Sequence, residues 1–200
     1  ADEKKSPSTL GTLRRIRDEP HDWQTVVLDT INGHEALCYD HVCREKFGGN
    51  YGDGNDEGFL AYGRGESIST GFWRPIHTIL DEIREQRGMA VIALCHTAVR
   101  NQKNPSGSDY QRYKPAMLDK QWGVTHRWAD LIMFMDVVTV VEKDGLRTKG
   151  KGGSQRIARC QPSAAYDAGN RFGVKDFSLG GSAEEGYKNF IEAMKKARSK

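Results

Sequence analysis

The sequence predicts an α/β domain: a mostly parallel sheet flanked by helices, with a β-hairpin toward the C-terminus. Three observations predict it. Two short runs, 25–29 and 89–94, are apolar without the alternation of a half-exposed strand. Such runs suit strands covered on both faces, as in parallel sheets. Helical patterns precede, separate and follow them. Each run also closes on a side chain able to do chemistry, Asp29 and His96, and open parallel sheets gather ligands at the carboxyl ends of their strands.

The elements follow in order. Residues 10–17 form an amphipathic helix that ends at Glu19-Pro20, because a residue before proline is pushed out of helical geometry. Strand 25–29 comes next. Residues 31–47 read as a helix, with Ala36, Leu37, Tyr39, Val42 and Cys43 available for packing. The stretch 48–65 is too polar and glycine-rich for regular structure. Residues 72–87 carry the clearest helical pattern, Ile76, Ile79, Leu80 and Ile83, with Gly88 placed as C-cap. Strand 89–94 and Cys95-His96-Thr97 follow directly. A long polar loop over 98–121 leads to a helix around 122–129 and one or two strands in 130–141. A hairpin turn over 145–153 then has its return strand at 155–160. The last helix, 183–200, has Tyr187, Phe190, Ile191 and Met194 on one face.

Two hundred residues suit one domain, 1–200. No apolar run approaches the ~18 residues that span a membrane, so a soluble protein with no membrane partner is expected. The charged start, 1–8, carries no secretory apolar stretch. The four cysteines show no disulfide-framework spacing, which favours a reducing cytoplasm. The net charge of +3 is small but unevenly spread. Residues 98–121 hold five basic against two acidic side chains, and residues 142–160 hold six against two. Such clusters are either solvated faces or the footprint of a polyanion.

An aspartate closing an apolar strand can hold magnesium beside a triphosphate; it can equally cap the helix that follows. His96 at the second strand end reads as a phosphate sensor or as a hydrogen-bonded core histidine. His34, Cys38 and His41 share one helical face, which raises zinc, although only three ligands are offered and a packed helix face accounts for them as well.

The wording of the chain resembles a family of RecA-like P-loop ATPases of phages and prophages, AAA-type proteins credited with single-strand annealing and recombination. The stretches that carry the resemblance are His21 through Thr30, Val91 through Thr97, Arg112-Tyr113, Trp128-Ala129-Asp130, Arg156-Ile157 and Pro162 through Arg171. The resemblance implies a RecA-like P-loop NTPase core that binds and hydrolyses ATP with Mg2+. Asp29 would be the magnesium-bearing Walker B carboxylate, His96 would sense the γ-phosphate, and Thr30 and Arg171 would contact nucleotide, Arg171 across a subunit interface. It further implies single-stranded DNA as partner, a homo-oligomeric ring or filament, and a single-strand DNA-binding protein as a further partner. In that arrangement the segments after the strands approach DNA. Here they are 47–66, with Tyr51, Phe59, Tyr62 and Arg64, and 98–121, with Arg100, Lys103, Tyr110, Arg112, Tyr113 and Lys114. Cations follow phosphates and aromatic faces stack on bases; a solvated loop has the same composition.

The sequence departs from the family in two ways. No Gly-x-x-x-x-Gly-Lys-Ser/Thr loop occurs: Lys5-Ser6 lacks the preceding glycines, and Gly152 follows Lys151 where Ser or Thr is required. The expectation is a C-terminal portion of the core, without its first strand and phosphate loop and inactive as an ATPase by itself. Gly169 also stands where the family commonly has lysine. The reading from a different class is a non-hydrolysing module that binds nucleic acid or a partner through a degenerate NTPase core.

Overall fold

The computed structural model describes residues 8–52, 57–144 and 147–199, with the side chains of 139–152 left undescribed. Lys5-Ser6, the Lys151 side chain and the hairpin turn at 145–146 therefore lie outside the described residues. The chain packs as two compact units, one of Ala1–Ala98 with Pro115–Trp128, the other of Val99–Lys114 with Ala129–Lys200.

In the first unit, α1 (Thr9–Asp18) begins at Ser8, whose side chain accepts from the Gly11 amide, and ends before Pro20. Strands β1 (Thr25–Asp29) and β2 (Ala90–Leu94) pair in parallel, Thr25 with Ala90 through Asp29 with Leu94. The helices α2 (Ile31–Phe47) and α3 (Arg64–Arg87) lie between them in sequence. Val26 and Leu28 point into a core shared with Leu13, Ile31, Trp73, Ile76, Ile79, Leu80 and Ile83. The other face of the pair is open, with Val27 at 50% and Ile92 at 46% exposure. Continuous hydrophobicity predicts cover on both faces; among the described residues the core covers one.

Helix α3 starts at Arg64 rather than at residue 72. Its first turns hold Gly65, Ser67, Ser69, Thr70 and Gly71, which read locally as breakers. In the fold the three hydroxyls donate to carbonyls four residues back, those of Gly63, Gly65 and Glu66. A Cβ on Gly65 would lie 2.3 Å from the Phe59 ring, so the missing side chain lets Phe59 seat directly on the helix. Phe59 is 1% exposed and forms a second core with Val42 and Cys43, flanked by Tyr39 and Phe47. Helix α1 is held to α3 by Arg17, paired with Glu82, and by Arg87 Nε donating to the Arg17 carbonyl at 2.7 Å.

The polar stretch expected as a loop over 98–121 is largely a paired β3 (Thr97–Gln102) and β4 (Tyr110–Pro115), followed by α4 (Asp119–Trp128) in the first unit. The tip is closed by Asp109, which takes bonds from Lys103 Nζ at 2.8 Å and the Asn104 amide at 3.1 Å.

In the second unit, β5 (Leu131–Ile132) pairs with β8 (Gly169–Asn170). The expected hairpin is present as antiparallel β6 (Phe134–Asp144) and β7 (Arg147–Arg159), with a register shift between Val137 and Thr139. β9 (Phe177–Ser178) pairs with β7. Helix α5 (Ala183–Arg198) starts at Ser182, whose hydroxyl accepts from the Glu185 amide. It has no fully buried residue, and Phe190 of the expected apolar face meets Phe177 at 6.0 Å between centroids. Among the described residues, helices with four small sheets make a mixed α/β architecture, in which β1–β2 pair in parallel. Among the described residues, no helix is long and apolar enough to cross a membrane.

Candidate active site

Asp29 and His96 come together at the carboxyl end of the parallel pair. Asp29 is the last residue of β1, opposite Leu94, and His96 lies two residues beyond; both are exposed. Asp29 is not the helix cap. That duty falls on Thr30, whose Oγ1 accepts from the Gly33 amide at 3.4 Å and whose carbonyl accepts from the His34 amide at 3.2 Å. The Asp29 carboxylate therefore faces solvent without a capping role.

His96 is placed through its backbone. Its amide donates to Asn32 Oδ1 at 3.1 Å, and its carbonyl accepts from the Ala116 amide at 2.7 Å. Asn32 stands on the first turn of α2, three residues after Asp29, so one helix start bears on both strand tips. The residues after β4 are tied down as well. Glu35, buried at 6% exposure, accepts from the Leu118 amide at 3.0 Å and from Tyr39 Oη at 3.1 Å. Burial first, and then the Glu35 carboxylate, push the Cys38 thiol up to about 11 and Tyr39 higher still. Burial likewise raises Cys95. These thiols stay protonated near neutral pH and offer no nucleophile. Asn32 and Glu35 escape a reading of the sequence, since their partners lie 64 and 83 residues away.

The chemistry of this tip fits magnesium carried on a nucleotide. Mg2+ keeps most of its water and takes one or two carboxylates with substrate phosphates, which Asp29 can supply. A protein-only metal cage is not built here: among the described residues no group of three His, Cys, Asp or Glu could hold an ion. The zinc reading of α2 meets the same finding. His34 Nδ1 lies 3.1 Å from Thr9 Oγ1, Cys38 Sγ faces the Ser69 carbonyl, and His41 packs edge-on to Phe72.

In the second unit, Arg171 pairs with Asp130 at 2.8 Å, and its amide donates to the Asp130 carbonyl at 3.0 Å. Two carboxylates closer to Arg171 in sequence, Asp167 and Asp176, are engaged by Arg112 and Arg159. The motif around Arg171 has a structural centre in Asn170. Its Nδ2 donates to the Cys160 and Val174 carbonyls, and its Oδ1 accepts from the Val174 amide at 2.7 Å.

Strand pleating separates the residues expected to touch DNA. Tyr110, Arg112 and Lys114 alternate with Gln111 and Tyr113 along β4, so the basic pair and Tyr113 lie on opposite faces. Arg112 is held inside: its Nη2 reaches the Tyr166 carbonyl at 2.7 Å, the Ser163 carbonyl at 3.2 Å and Asp167. Tyr113 is 46% exposed and tilts against Phe134, which stacks on Tyr166 at 4.9 Å. Arg100 on β3 is half-buried, and Lys103 stands at the tip. Arg64 is exposed over the Phe47 ring. Phe59, expected among the DNA-facing aromatics, is instead core.

A family model described as an AAA domain matches residues 4–172 of the chain. No curated protein and no solved structure matches the chain.

Proposed function

The chain belongs to the AAA domain family, and on that premise we propose that it is the core of a RecA-like ATPase acting on single-stranded DNA in phage-type recombination or annealing. AAA domains bind nucleotide, typically with Mg2+, and the fold and chemistry here agree with that. The observation that carries the reading is the pairing of Asp29 and His96 at adjacent strand ends, the latter fixed by Asn32.

In this reading Asp29 would hold a magnesium ion through water, and the ion would supply positive charge beside the transferring phosphate. His96 orients toward the terminal phosphate, with its backbone clamped so that a small ligand shift is felt by the segment it anchors. Arg171, 59% exposed at its side chain, reaches nucleotide on a neighbouring copy in a ring or filament. Both compact units belong to one RecA-like core, the β1–β2 pair to its parallel sheet. Single-strand contacts come from Arg64 in the first unit and from Arg100, Lys103, Tyr110, Tyr113 and Lys114 in the second, where Arg112 holds β4 to the segment around Asp167. A single-strand DNA-binding protein is a further partner, in the cytoplasm of a bacterial or infected cell.

The test is DNA-stimulated ATP hydrolysis by the full-length gene product. Asp29→Asn should lower magnesium-dependent turnover at least about tenfold with the fold intact. His96→Ala should abolish stimulation by DNA while leaving basal turnover measurable. Unchanged turnover in Asp29→Asn rejects the assignment.

A further inference from the structure

Residues 142–160 hold six basic against two acidic side chains, and the pairing of β6 with β7 sorts them by face. In an antiparallel pair, opposite residues share a face and successive residues alternate. The register sets Glu142 opposite Lys149, Asp144 opposite Arg147, Val140 opposite Lys151 and Phe134 opposite Arg159. These positions share one face with Asp136. On the other face stand Val137, Val141 and Lys143 of β6 with Gly150, Gly152 and Arg156 of β7. The three acids of the hairpin, Asp136, Glu142 and Asp144, therefore all fall on the first face, among four bases; the second face has two bases and no acid. Part of the first face is committed at its root, where Arg159 Nη2 lies 3.4 Å from Asp136 and Nη1 lies 3.7 Å from Asp176.

The acid-free face has the shape as well as the charge for a duplex. β9 pairs with β7 at Ile157 and Ala158, so among the described residues the sheet is two strands wide from Thr139 and Gly152 outward. A two-stranded ribbon fits the major groove of B-form DNA, about 12 Å wide. Gly150 and Gly152 stand at alternate positions on that face, and glycine within a strand marks a place where another backbone approaches closely. Lys143 and the level of Arg156, which faces Val137, are six positions apart along β6, roughly 20 Å or about six base-pair steps. Met135 and Val137, on the same face, are 54% and 48% exposed, and apolar side chains of this kind meet thymine methyl groups. No aromatic residue occurs between Met135 and Arg156. Single strands are held by stacking on aromatic faces, so the ribbon suits bases that remain paired.

We propose that the β6–β7 ribbon is a duplex-DNA site that enters the major groove on its acid-free face, with Lys143 and Arg156 supplying phosphate contacts at either end. This goes beyond the single-strand reading: it takes a different ligand on different residues.

The test is anisotropy of a labelled short DNA duplex and, separately, of labelled oligo-dT, with the full-length protein at several salt concentrations. The parent should bind the duplex. Lys143→Ala and Arg156→Ala should each make the salt dependence of duplex binding shallower by about 0.9, with oligo-dT binding unchanged. Lys149→Ala, on the opposite face, should bind duplex as the parent does. Gly150→Val introduces a good strand former, so its thermal midpoint should hold while duplex binding is lost. An RNA duplex, whose major groove is deep and narrow, should bind more weakly than DNA; equal binding overturns entry into the groove. A parent that binds oligo-dT and no duplex overturns the ribbon and leaves the single-strand reading standing, and a parent that binds duplex and no oligo-dT does the reverse. Equal losses in Lys149→Ala and Lys143→Ala overturn the assignment to one face. Displacement of the duplex by poly-glutamate at equal charge concentration overturns DNA as the occupant.

Discussion

Lys46 and Arg64 border an open groove with both side chains exposed, whereas Arg112 lies 16% exposed against two carbonyls and the Asp167 carboxylate. All three are cations in polar stretches. Their neighbours set different tasks: a desolvated arginine whose Nη2 is engaged by two carbonyls and a carboxylate holds a loop in place, and an exposed cation keeps its charge for a polyanion. A basic cluster is therefore a count of charges, while its function depends on which of them burial has already committed.

The largest effect that separates the two regions is on stability. Arg112→Ala removes the Nη2 donor that the half-buried Asp167 and the Ser163 and Tyr166 carbonyls accept from, and should cost about 2–4 kcal/mol. Lys46→Ala should stay within about 0.5 kcal/mol. Urea midpoints measure both, and equal midpoints would dissolve the contrast. Arg112→Lys should recover only part of the loss, since an ammonium is more strongly hydrated than a guanidinium and is costlier to hold at this half-buried place.

A somewhat smaller effect lies where Phe59 meets α3. Gly65→Ala drives a methyl into the Phe59 ring and should cost about 1–3 kcal/mol, read as a lowered thermal midpoint. Gly71→Ala, with open space around it, should instead stabilise α3 by about 0.5–1 kcal/mol. A neutral Gly65→Ala would mean that Phe59 does not sit directly on α3.

The smallest effect concerns a buried base that no salt bridge serves. His77 is 5% exposed between Trp73 and Trp128, with Nε2 3.1 Å from Thr125 Oγ1. Burial lowers its pKa, against smaller opposing pulls from the Trp73 backbone and Asp81, and burial also lowers that of His34. The folded state resists protonating these rings while the unfolded chain accepts protons near pH 6.5. Stability is thus full above about pH 6.5 and declines as pH falls below it. Denaturation at pH 7.5 and 5.5 should show that decline, and His77→Gln should reduce it.

Where local pattern and final packing agree, the sequence reads truly. Thr25–Asp29 and Ile31–Phe47 occur as their composition implies, and Gly88 adopts the left-handed cap, φ 66°, that ends α3. The first two turns of α3 are hidden from sequence because their glycines and hydroxyls favour turns until Phe59 and the carbonyls four back engage them. The β3–β4 pair is hidden because alternation in Tyr110–Pro115 is carried by polar side chains, which a hydrophobic pattern cannot reveal. Asp29 and His96 are visible as strand ends. The clamp on His96 is not, since it depends on Asn32 and Ala116 meeting through the fold.

That clamp shapes how the molecule can change over generations. The excursion that begins after His96 returns to it at Ala116, so the strand tip is fixed by the roots of the hairpin and not by its apex. Lengthening such an excursion is inexpensive, about 0.6 kcal/mol for each doubling, and its exposed turn around Ser106 and Gly107 bears no core residue. Residues 103–109 therefore form an exchangeable cassette: lineages can lengthen, shorten or recompose it without disturbing the Asp29 and His96 end. Diversity among descendants should accumulate there first, on a fixed mount.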